Sequence, residues 1–198
     1  MRAFLIGFPK AGTCSIDRAL TESGLFCIHS KDRQTRRHVG QTIYENWFAG
    51  GDIFAGLKRY DAVTQADVTS PRRNLVFWPQ LDLAILRRIK EQYPDCRLIL
   101  NKRELEPHIT SMQRWNTFQS RLIKSDVPGL PYGFGRTADQ LKHWICGHYA
   151  NLAASDIPFA TVNIDRESAQ DELAAAVGQK ILWWGVENKN IKTAQNNR

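Results

Sequence analysis

Cysteine is scarce and scattered. Cys14, Cys27, Cys96 and Cys146 form no C-x-x-C pair, which removes a disulfide framework and a thiolate zinc site and leaves reduced thiols inside ordinary elements. None of the five histidines stands at a metal-ligand spacing from another histidine or a cysteine, so no metal is expected. Long apolar runs are missing as well. No stretch approaches the roughly 20 residues that a membrane span requires, and the N-terminal FLIGF is too short for a signal peptide. The expectation is a cytoplasmic protein with no membrane partner. There is no internal repeat and no low-complexity segment. Acidic residues are also in deficit, 20 against 27 basic ones, for a net charge of +7. That imbalance calls for an anionic partner, whether a nucleic acid, a membrane surface or a polyanionic small ligand.

What is present is the composition of a globular protein, 42% apolar and 24% charged over 198 residues, enough for one core. Short apolar runs alternate with helical patterns, which predicts an α/β domain: a P-loop-like parallel sheet of four to five strands flanked by helices. The domain is read over residues 1–190, with a polar tail at 191–198.

The most informative stretch is AFLIGFPKAGTCSIDRALTESG, residues 3–24. Ala3 to Ile6 reads as a buried parallel strand, Gly7 and Gly12 bracket a loop, and Thr13, Cys14 and Ser15 open a helix that ends at Gly24. The free N–H groups and positive dipole end of that helix point into the loop and make an anion site. The two glycines keep the spacing of a Walker A loop, yet Thr13 stands where the Walker lysine belongs and the only lysine, Lys10, lies inside the loop. Cys14 sits where a helix N-terminus could stabilise a thiolate, although a small residue in place of a second hydroxyl explains it as well.

Further along, Leu25 to His29 and Asp61 to Asp67 read as strands whose carboxyl ends carry His29 and Asp67. In a doubly wound sheet ligands bind beyond those ends. Residues 35 to 60 read as an aromatic helical insertion, Trp78 to Tyr93 as an amphipathic helix, and Cys96 to Leu100 as a central strand leading into NKRELEPHITSMQRW. Residues 128–135, PGLPYGFG, form an irregular loop. Ala138 to Leu152 is a helix on which His143 and His148 are expected to face a partner or solvent.

The sequence Pro9-Lys10-Ala11-Gly12-Thr13 resembles the 5′-phosphosulfate-binding loop of the sulfotransferases, which use 3′-phosphoadenosine 5′-phosphosulfate (PAPS) as sulfuryl donor. The resemblance implies donor contacts from Lys10, Ala11, Gly12, Thr13, Cys14 and Ser15, with Lys10 at the bridging oxygen where charge collects. It extends to Arg103 and Ser111, eight residues apart after a strand, which in that family hold the 3′-phosphate. An arginine can do so bidentately while a helix hydroxyl donates from the other side. The family's Arg-Asn-Pro or Arg-Asp-Pro is replaced here by Arg103-Glu104-Leu105-Glu106-Pro107. The resemblance makes Asp67 the first candidate for the general base and His29 the second; with Lys10 they form the expected catalytic set. Trp184, Gly185 and Asn188 resemble a C-terminal pattern of related bacterial proteins, with no role attached.

The function implied is in-line transfer of a sulfuryl group from PAPS to a hydroxyl or amine of a small-molecule or glycan acceptor, without a metal. A P-loop kinase using ATP-Mg and a non-catalytic nucleotide or nucleic-acid binder on the same fold are the alternatives, and nucleic acid is not the expected partner. Neither the acceptor nor the oligomeric state is legible.

Overall fold

A computed structural model describes residues 1–187. The chain runs β1 (Ala3–Leu5), α1 (Thr13–Glu22), β2 (Cys27–His29), α2 (Val39–Phe48), β3 (Ala62–Gln65), β4 (Val68–Ser70), β5 (Leu75–Phe77), α3 (Leu83–Gln92), β6 (Arg97–Lys102), α4 (Leu105–Gln113), α5 (Phe118–Leu122), α6 (Ala138–Ala153), β7 (Ala160–Asn163) and α7 (Ala169–Val177). Five strands form one parallel sheet in the order β2-β3-β1-β6-β7. After β1 the chain builds β3 and β2 on one side, then crosses over to build β6 and β7 on the other. A crevice therefore opens at the carboxyl end of β1, where the neighbouring strands lead away in opposite directions.

Alternation along the strands divides the core between the two faces. Phe4, Ile6, Val63, Leu98 and Leu100 pack with Ile43 of α2 and Ile85, Leu86 and Ile89 of α3. Ala3, Leu5, Ala62, Ile99 and Val162 pack with Ile16, Ala19 and Leu20 of α1 and Leu173 of α7. Both faces are apolar, as a parallel sheet covered on two sides requires. A third cluster gathers around Phe8, Trp78, Met112, Phe118 and Trp144, under α4, α5 and α6.

Local chemistry moves several boundaries from their expected places. The helix expected from Trp78 starts five residues later, because the Asp82 carboxylate accepts from the Ala84 N–H and caps α3 there. Pro79 opens a short 3-10 turn instead. The stretch after Asp67 is an antiparallel hairpin of β4 and β5 turning at Asn74, whose φ is 52°. Of residues 35 to 60, only Val39–Phe48 is helical. The 128–135 loop is irregular as expected and is anchored on α6, where Trp144 Nε1 donates to the Pro128 carbonyl at 2.8 Å. His148 is buried rather than exposed. The 191–198 tail and Asn188 lie outside the described residues.

Candidate active site

The loop between β1 and α1 is held from behind by side chains of other elements. Gly7 sits so close to β6 that a Cβ there would lie 2.4 Å from the Asn101 carbonyl oxygen. Asn101, fully buried at the end of β6, accepts from the Gly7 N–H at 3.0 Å and donates to the carbonyls of Phe8 at 3.3 Å and Ala11 at 2.9 Å. His108 of α4 binds the Pro9 carbonyl and His148 of α6 the Ile6 carbonyl, each through Nε2 at 3.0 Å. Burial lowers the pKa of both rings, that of His108 to about 4, so each is neutral and donates one proton. Arg103 takes the Lys10 carbonyl, at 3.2 Å.

Five loop carbonyls are thus bound by side chains, four of them by the buried Asn101, His108 and His148. What the loop can present outward is N–H groups, together with those of the first turn of α1, which have no carbonyl partner in their own helix. Lys10, at φ 66°, and Gly12, at φ 75°, take the left-handed conformation that bends the chain round the cradle. The same Gly12 lies against Ile164, whose side chain would be 2.8 Å from an added Cβ.

The cradle opens into a cleft of about 770 Å3, within the range of ligand sites. Of the residues singled out in the sequence, Lys10, Gly12, Thr13, Cys14, Ser15, His29, Arg103 and Ser111 line it. Ala11 is buried beneath, with its carbonyl on Asn101. Arg103 has a buried Nε without a hydrogen-bond partner, 3.7 Å from Asp165 Oδ1, and this unmet donor suits an anion. Burial lowers the pKa of Lys10, Cys14 acts in the opposite sense, and Arg103 lowers it further. A bound anion would relieve that crowding of positive charge.

Neither acidic residue of the altered arginine motif, Glu104 or Glu106, is among those that line the cleft. The Glu104 N–H donates to Asp165 at 2.7 Å, and the Glu104 carboxylate accepts from Asn163. Pro107 falls in the first turn of α4, where no helical hydrogen bond is lost.

Asp67 is buried behind the cleft rather than on its wall. Its oxygens accept from Gln65 at 3.2 Å and Gln80 at 3.3 Å, and burial pushes its pKa up to about 7. Gln65 itself lines the cleft and accepts from the Thr13 hydroxyl, so one amide separates Asp67 from the loop. His29 does reach the cleft, its Nε2 3.5 Å from Cys14 Sγ.

The sequence reading missed Asn101, His108 and Gln65, and it marked Trp184 and Gly185 in the C-terminal segment without giving them a role. Trp184, Gly185, Val186 and Glu187 close one side of the cleft, and the Glu187 N–H donates to Ser15 Oγ at 3.0 Å. Among the described residues, no cluster of acidic, histidine or cysteine side chains could hold a metal ion, and no helix is long and apolar enough to cross a membrane.

A shikimate kinase from Bacteroides thetaiotaomicron superposes with a TM-score of 0.48 at 12% identity, over 90% of this chain and 94% of the kinase. A sulfotransferase from Alicyclobacillus acidocaldarius superposes with a TM-score of 0.47 at 16% identity, over 97% of this chain and 86% of its own. No curated protein matches the chain. The family model for the sulfotransferase domain does match, over residues 2–163. That span begins before β1, takes in the loop, Arg103 and Ser111, and ends with β7. The chain belongs to the sulfotransferase domain family, whose general chemistry is sulfuryl transfer.

Proposed function

We propose that the cleft binds PAPS and that the chain transfers its sulfuryl group to a hydroxyl or amine. The observation that carries this reading is the cradle itself. Five loop carbonyls are taken up by side chains, Lys10 and residues 12–15 line the cleft, and Arg103 and Ser111 line it too. Lys10 and the amides of Gly12, Thr13 and Cys14 would stabilise the phosphosulfate and the leaving oxygen, with Thr13 and Ser15 as side-chain contacts. Arg103 and Ser111 would hold the 3′-phosphate.

In the step itself, the bond from sulfur to the bridging phosphate oxygen breaks as a bond from sulfur to the acceptor forms, and the acceptor's proton passes to a base. We take His29 as that base: it lines the cleft, and burial lowers its pKa, so it is neutral and able to accept a proton at pH 7. A second reading keeps Asp67, which a pKa of about 7 favours and which would act through a shift of Gln65.

Calorimetric titration with 3′-phosphoadenosine 5′-phosphate against ATP-Mg tests the donor. Micromolar or tighter binding of the 3′-phosphorylated nucleotide is expected, weakened about tenfold or more in Arg103→Ala, because a hydrogen bond to a charged group contributes about 1.5–3 kcal/mol. Preference for ATP-Mg would point to a kinase. Nucleotide binding without sulfuryl transfer to any acceptor, joined to steeply salt-dependent RNA or DNA binding, would point to a non-catalytic binder.

A further inference from the structure

Behind His29 lies a chain of hydrogen bonds that the proposed chemistry does not by itself require. His29 Nδ1 is 3.1 Å from Thr64 Oγ1. The Thr64 hydroxyl is fully buried and stands 2.6 Å from Asp17 Oδ1 and 3.2 Å from the Ile28 carbonyl. Two of its three neighbours can only accept. Its single proton goes to one of them, and the carboxylate, nearer and charged, takes it. The hydroxyl oxygen then has only lone pairs to offer His29, and Nδ1 must bring the hydrogen.

A neutral imidazole carries one proton, so Nε2 is left with its lone pair. That nitrogen is the one near Cys14 Sγ, at the wall of the cleft. A thiol is a weak donor, and an acceptor hydroxyl can displace it.

We infer that Asp17 and Thr64 are positioning residues that hold His29 protonated at Nδ1 and turn its Nε2 lone pair toward the cleft. The catalytic consequence rests on the reading of His29 as the base; the tautomer does not. The charged group acting on the ring is Asp17 of α1, which opposes the effect of burial on its pKa. Cys14 of the same helix touches the ring, β3 presents the uncharged Thr64 and Gln65, and Lys10 and Arg103 line the same cleft. The arrangement follows the logic of an oriented general base, in which an acid, here the partly buried Asp17, fixes the working tautomer through an intermediate group.

Long-range 1H–15N correlation on 15N-histidine-labelled protein reads the tautomer directly, with the His29 signals assigned by their loss in His29→Asn. In the wild type, neutral His29 should carry its proton on Nδ1. Thr64→Val, close in shape but without the hydroxyl, should shift the population toward protonation at Nε2. Asp17→Asn removes the charge that draws the Thr64 proton and lets an amide donate to Thr64 Oγ1, so it should weaken the preference for Nδ1 and lower the His29 pKa. A wild-type ring protonated at Nε2, or a tautomer indifferent to Thr64→Val, would overturn the inference. An unchanged His29 tautomer in Asp17→Asn would remove Asp17 from it.

Hydrolysis of PAPS, followed as released sulfate, separates this from the base assignment. A tenfold or larger loss in Thr64→Val, with affinity for 3′-phosphoadenosine 5′-phosphate retained, supports both. A displaced tautomer with hydrolysis unchanged sustains the positioning pair and sinks His29 as the base.

Discussion

Asp67 shows how far one residue's environment can depart from its type. It is 5% exposed, and burial outweighs the help of Gln65, Arg121 and Gln80, so its carboxyl titrates near pH 7 rather than 3.8. A raised carboxyl pKa means that the folded state holds its proton where the unfolded state has lost it. Stability from this group is complete below about pH 4 and falls as the pH rises through 7. The separation of the two pKa values sets a ceiling of about 4 kcal/mol on the loss. Asp67→Asn keeps the shape and cannot ionise, and Gln80, whose Oε1 has no partner, can turn to accept from the new amide. The variant's melting temperature, relative to wild type, should therefore rise between pH 4.5 and pH 8. A difference that stays flat across that window would show that Asp67 is not held neutral in the folded protein. The sequence marks Asp67 only as an acid at a strand end; its burial depends on Gln80 and Arg121, which arrive from other elements. Asn101, His108 and His148 were illegible for a related reason. They bind main-chain carbonyls, and no residue pattern records that a carbonyl elsewhere needs a donor.

At the scale of elements, β1, its loop and α1 were readable because their requirements are local. The apolar strand, the two glycines and the helix start each follow from neighbouring residues, and α1 begins at Thr13 as its pattern predicts. The start of α3 was misplaced because its apolar periodicity continues backward through Leu81, while the cap that fixes the boundary is a single aspartate. The two loop glycines are required for different reasons. Gly12 supplies a left-handed turn, whereas Gly7 lets β1 lie against β6. Gly7→Ala should destabilise by about 1–3 kcal/mol or more, since the contact is with backbone that cannot move aside, and it should weaken nucleotide binding by displacing the cradle. Gly147→Ala is the contrast. That position is exposed in α6 with nothing within 4 Å of an added Cβ, so the substitution should stabilise by roughly 0.5–1 kcal/mol. Denaturant unfolding compares the two, and equal effects of either sign would contradict this account of Gly7.

For the whole molecule, the cleft is an assembly of distant pieces. Lys10 and Arg103 are brought together because β1 and β6 are neighbours in the sheet, and Ile164 and Trp184 join them from the far end of the described chain. The sequence could pair the loop with Arg103 only through the family resemblance, since strand order is not written in any local pattern. A ligand reaching both anion subsites would couple these pieces in the folded state and bind none of them in the unfolded chain. At one hundred times its Kd, such a ligand adds about 2.7 kcal/mol to the unfolding free energy, a shift of roughly 5–10 °C in melting temperature for a protein of this size. Thermal unfolding with 3′-phosphoadenosine 5′-phosphate at that concentration should show this shift. A tenfold loss of affinity in Arg103→Ala would cut the added free energy to about half at the same ligand concentration. Inorganic phosphate, which can fill one subsite at a time, should shift the transition far less at equal concentration. If phosphate matched the nucleotide, or Arg103→Ala kept the full shift, the two halves of the cleft would not be acting on one ligand. The bridging role assigned to β1 and β6 would then fail.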